Sequence, residues 1–110
     1  MTIILECRDP KGRTILLSDD IWYGKILLDH PQLDNRLDCM HEVLTNPIRI
    51  MEDIHLASVE CFYRNRVIPN MKKAYLKICV EFMPYGSSTG EVVTAYTLAN
   101  VKRAERQLWP

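Results

Sequence analysis

His30, the adjacent pair Tyr63 and Arg64, and the spaced pair Thr94 and Tyr96 are the side chains in this 110-residue chain whose types suit proton and phosphate chemistry. An imidazole at a helix break, as in His30-Pro31, can face a cleft and act as acid, base or phosphate contact. The same position also suits a half-exposed capping residue. Arg64 offers a planar fork to phosphate oxygens. Tyr63 and Tyr96 can move protons, orient a phosphate or stack on an unpaired base, and they equally suit the edge of a sheet core. Thr94 and Tyr96 share one strand face, beside a strand carrying Lys77, and read as a working surface. Such groups fit RNA cleavage by attack of the 2′-OH. That reaction needs a group to take a proton, a group to protonate the leaving 5′-oxygen, and positive charge on the phosphorane, and it needs no metal. Lys72 and Lys73, with Arg64 and Arg66 flanking the same loop, form a basic cluster that would hold a substrate strand or simply be solvated.

Other chemistries find little footing. The cysteines at 7, 39, 61 and 79 include no Cys-x-x-Cys, and their spacing does not suit zinc, so neither a metal nor a cofactor is expected. There is no Gly-x-x-x-x-Gly-Lys phosphate loop and no nucleophile elbow. Asp19-Asp20 and Glu52-Asp53 read as a helix cap and a turn. His41 reads as solvated, and His55 falls in a loop. No apolar run reaches the ~18–20 residues of a membrane helix, and the N-terminus lacks the basic and apolar regions of a signal peptide; the expectation is a cytoplasmic protein with reduced thiols. Net charge is zero, but residues 1–59 hold six basic and ten acidic residues (net −4) and residues 60–110 hold eight and four (net +4). A basic half can attract a phosphate backbone, or the two halves can attract each other within the fold.

The positioning elements follow from periodicity. Thr2–Cys7 and Arg13–Leu17 are β-rich runs around the turn Arg8-Asp9-Pro10-Lys11-Gly12, which makes a hairpin. Ser18, Asp19 and Asp20 can cap a helix that breaks at Asp29–His30, with Pro31 opening a second helix. Leu33, Leu37, Met40 and Leu44 then fall on one helix face, and Asn46-Pro47 ends it. Strand patterns follow at Ile48–Met51, Val59–Arg64, Ala74–Phe82 and Glu91–Thr97. Asn100 can cap a final helix over Val101–Leu108. In the last strand, strict alternation puts Val93 and Ala95 on one face.

The series Trp22…Ile26…His30-Pro31, Asn46-Pro47…Ile50…Asp53, Phe62-Tyr63-Arg64, Tyr75-Leu76-Lys77-Ile78-Cys79-Val80 and Val92-Val93-Thr94-Ala95-Tyr96 resembles small bacterial and phage-associated proteins of the barnase–EndoU–colicin–RelE-like nuclease superfamily. The similarity spans residues 20–105. It departs from that pattern at Gln32, at Ala104, in the N-terminal hairpin and in the long gap at Met83–Gly90. The resemblance implies an α+β fold of RelE-like type: an N-terminal hairpin, two helices, then a three- to four-stranded antiparallel sheet with helices on one face, all in one domain. It implies a metal-independent ribonuclease, the toxin of a toxin–antitoxin pair, with RNA and an antitoxin protein as partners. His30 would be acid/base or phosphate contact, Arg64 would stabilise the phosphorane, and Thr94 and Tyr96 would position phosphate or base. Tyr63, Arg66, Lys72, Lys73, Lys77 and Lys102 would contact RNA. Tyr63 and Arg64, being adjacent in a strand, should point to opposite faces, and Arg64 is preferred for the site. The alternative is a non-catalytic interaction module that docks a partner through the face of Leu33, Leu37, Met40 and Leu44 or through a sheet edge.

Overall fold

The computed structural model describes residues 1–101 and 104–110. Strands β1 (Ile3–Arg8) and β2 (Thr14–Ser18) form the opening hairpin, with Gly12 at φ 80° and Asp9 accepting from the Lys11 and Arg13 N–H groups in the turn. Ser18 caps the next segment, its Oγ accepting from the Ile21 N–H. That segment is not one regular helix. It runs α1 (Asp19–Ile21), a π turn (Trp22–Ile26) and α2 (Leu27–Asp29). His30 breaks it, and Pro31 opens a 3-10 turn, Pro31–Leu33, where its missing N–H costs nothing. The second helix starts later than expected, at α3 (Leu37–Thr45), because Asn35 takes φ 62° and interrupts the chain.

Then come β3 (Arg49–Glu52), β4 (Val59–Asn65), β5 (Tyr75–Glu81), β6 (Thr89–Leu98) and β7 (Arg106–Trp109). These overturn the expected RelE-like architecture. Among the described residues, all strands join one seven-stranded mixed sheet in the order β1-β2-β6-β5-β4-β3-β7, and strand (40%) outweighs helix (21%). Two long-range pairings enlarge the sheet. β2 lies parallel to the start of β6, with Thr14, Ile15 and Leu16 opposite Thr89, Gly90 and Glu91. Arg106–Trp109, overlapping the end of the segment expected as a helix, instead extends along β3, where Gln107 opposes Met51 and Arg106 opposes Glu52, while residues 102 and 103 of that segment lie outside the described residues. Pairing with an open strand edge outweighs the weak local helix pattern there.

One face of the sheet carries the main core. Met40, Val43 and Leu44 of α3 are fully buried with Ile50, Phe62, Leu76, Ile78 and Ala95, and Trp22 and Ile26 join them. Leu33 is likewise fully buried and Leu37 packs against the same cluster. The helix face proposed as a docking surface is therefore consumed by the fold. Arg13 ties the hairpin to β4: it donates to Asp9 and, in bidentate fashion, to Glu60 at 2.8 and 2.9 Å, and lies 4.0 Å over the Phe82 ring. Arg64–Glu42 and Arg106–Glu52 join a cation of the basic half to an anion of the acidic half, whereas Arg13–Glu60 runs the other way. Gly90 is required where β6 meets β2. A Cβ there would sit 2.6 Å from both the Phe82 ring and Val80. Gly90→Ala should cost about 1–3 kcal/mol through this overpacking, seen as a lower urea midpoint.

Candidate functional site

A bulge sets the site. Cys79 pairs with Thr94 but Val80 pairs with Val92, so Val93 is the extra residue on β6. Contrary to strict alternation, Ala95 lies in the main core while Val93 packs with Tyr96 on the opposite face. Beyond the bulge, Tyr63, Lys77 and Tyr96 stand in register on β4, β5 and β6 and share that second face.

β2 leaves β6 after Glu91, and the segment after α2 takes its place beside the later part of the strand. Gln32 donates to Thr97 Oγ1 at 3.4 Å. The His30 imidazole stacks on the Tyr96 ring with centroids 5.8 Å apart and planes at 29°. Both side chains are half-buried, as is Thr94. The helical layer and the central β-hairpin thus converge on one spot.

Beneath this pair lies a buried polar cluster. The Lys77 ammonium is 5.4 Å from the Tyr96 ring centroid and 5.3 Å from that of Tyr63. It bonds Glu105 Oε2 at 2.8 Å, and the Tyr63 hydroxyl donates to Glu105 Oε1. Lys77 is 2% exposed and Glu105 6%. Burial pulls the Lys77 ammonium down, but hydrogen bonding to Glu105, Tyr63 and Tyr96 outweighs it and holds Lys77 above its ordinary value. Burial first, then the bond to Glu105, push the Tyr63 phenol up. Both shifts are upward, so both groups stabilise the fold fully below their unfolded values, about pH 10, and lose that contribution as pH climbs further. Melting temperature followed by circular dichroism should hold up to about pH 10 on this account and fall above it, with Tyr63→Phe flattening the fall.

The other expected site residues lie elsewhere. Arg64 is on the main-core face, donating to the Asn46 carbonyl at 3.1 Å and lying 3.6 Å from Glu42. Of the two, Tyr63 rather than Arg64 shares a face with Tyr96. Tyr63 is fully buried and Lys77 nearly so, and neither reaches a strand lying on the surface. Arg66, at φ 61°, and the pair Lys72 and Lys73 are exposed in the β4–β5 connection. Lys102 lies outside the described residues. Glu105 was missed because a lone Glu after Ala104 carries no motif; its role follows only from the fold of the C-terminal segment.

Asp53, Cys61 and Glu105 bring donor atoms within 4.8 Å of one another. Each is already engaged: Glu105 by Lys77 and Tyr63, Asp53 by the His55 and Leu56 N–H groups, and Cys61 by Cys79 at 3.8 Å. Among the described residues this trio has partners without an ion. All four cysteines are free thiols. No described helix is long and apolar enough to cross a membrane.

No protein-family model, curated protein or solved structure matches the chain. The site defines its class on its own terms: a histidine from the helical segment stacked on a sheet tyrosine, over a buried lysine–glutamate–tyrosine cluster.

Proposed function

We propose that this chain is a metal-independent endoribonuclease acting in the cytoplasm. The observation that carries the reading is the stacking of His30 on Tyr96, two residues far apart in sequence, above the fixed charge of Lys77. His30 and Tyr96, two of the positions in the resemblance to the nuclease superfamily, meet there. His30 takes the proton from the 2′-OH, whose oxygen bonds to the adjacent phosphorus. The P–O5′ bond breaks, and the Tyr96 hydroxyl gives its proton to the departing oxygen. The products are a 2′,3′-cyclic phosphate and a 5′-hydroxyl, and water returns the proton from His30 to Tyr96. Thr94 donates to a phosphate oxygen. Arg64 has no part in this assignment.

The resemblance extends the proposal to a toxin held by an antitoxin protein. Induced expression of the wild type without a partner should arrest bacterial growth, and His30→Ala should relieve the arrest. Equal growth of both strains with both proteins present would reject the toxin role. RNA breakdown by the purified protein in excess chelator tests the activity itself. An inert protein would favour the interaction-module alternative.

A further inference from the structure

A buried ion pair is poor evidence of stabilisation, because the desolvation of two charges roughly cancels their attraction. Apolar residues of similar volume would fill the space between β4, β5 and β6 at least as well. Yet this sheet face holds an ammonium, a carboxylate and a phenol, all buried and all satisfied by one another. The cluster has a direction. Tyr63 and Lys77 fix Glu105 from two sides, Glu105 fixes the ammonium, and the ammonium lies against the Tyr96 ring that meets His30.

We propose that Lys77 and Glu105 are positioning residues for the reaction: Glu105 locks the Lys77 ammonium under the Tyr96 ring, and that fixed cation holds Tyr96 in stacking contact with His30. A flexible ammonium would not do this. Its attraction to the ring face depends on where it sits, and inside the protein the interaction is stronger than in water. Neither residue touches RNA, so both act through Tyr96. The activity arm of the test rests on the ribonuclease reading; the geometric arm does not.

The test is the triple variant Tyr63→Phe/Lys77→Met/Glu105→Leu in the full chain. It removes every member of the cluster and leaves no buried partner stranded. A structural role requires only a filled core, so the variant would then keep wild-type kcat. A positioning role requires kcat to fall about a hundredfold with KM within twofold, since misplacement by an ångström costs that much. In parallel, proton NMR follows the ring-current shift that Tyr96 imposes on the His30 ring protons. That shift should collapse toward the free-histidine position while the melting temperature stays close to wild type. Glu105→Gln, which keeps shape and an acceptor oxygen but removes the charge, is the second variant if the triple one does not fold, and it should show the same loss of shift. Retained kcat or an unchanged His30 shift in a folded variant overturns the proposal. If the wild type cleaves no RNA but the variant loses the shift, the ribonuclease reading fails and the positioning role stands.

Discussion

Lys77→Met alone should destabilise the protein by about 3–5 kcal/mol, the cost of leaving one partner of a buried pair uncompensated. The side chain is 2% exposed and its partner Glu105 6%, so the carboxylate left behind has no ready route to water. Tyr63 still donates to it, but a phenol does not cancel a charge. At roughly 4 °C per kcal/mol for a domain of this size, the melting temperature should drop by about 12–20 °C. Thermal melts at neutral pH decide the matter. A drop below about 1 kcal/mol would mean that Glu105 turns out to solvent at little cost and that the C-terminal segment is not held by this pair. The triple apolar variant should recover most of the loss, which separates the charge from the volume.

His30→Ala has the larger effect on activity. A positioned acid or base contributes about 10²–10⁴-fold, so the proposed RNA cleavage should fall within that range. Stability should change little. His30 is half-buried, and its ring stacks on Tyr96, an interaction worth no more than about 1 kcal/mol. Tyr96→Phe should keep the stacking while removing the hydroxyl and its hydrogen bonding with Lys77, which Glu105 still holds. If both variants lose cleavage while remaining folded at the assay temperature, the two groups act in the reaction. If cleavage survives in both, the assignment of roles is wrong.

Local structure was the legible part. Alternation marked β4, β5 and β6, the Pro-Lys-Gly turn marked the first hairpin, Ser18 announced its cap, and Pro31 announced a break. These are short-range effects, written in neighbouring residues. What alternation could not show was the partner of each edge. The parallel docking of β2 on β6 and the seating of β7 on β3 bring distant segments together, and nothing in the local pattern of either segment names its partner. Val101, Glu105 and Leu108 fall at helical spacing, yet Arg106–Trp109 pairs as a strand. The bulge at Val93 was hidden for a related reason. One extra residue reverses the facing of its neighbours, and only the register with β5 exposes it.

The candidate site divides in the same way. His30, Thr94 and Tyr96 were recognisable as residue types in a suggestive order, and His30 does meet Tyr96. Lys77 was legible as a residue but not in its setting. A lysine alternating with Leu76 and Ile78 looks solvent-facing, and only the covering by Tyr63, Tyr96 and Glu105 makes it buried. Arg64 carried the better phosphate chemistry on paper, yet strand alternation turned it toward α3 and Asn46.

The measurement closest to the central claim uses a short RNA with one scissile step, alongside the same strand carrying a 2′-deoxy sugar at that step, both incubated with purified protein in excess chelator. Cleavage of the all-ribose strand to a 2′,3′-cyclic phosphate is expected, with no cleavage of the deoxy strand and loss of product with His30→Ala. An intact ribose strand, or a deoxy strand cut at the same rate, would contradict the claim.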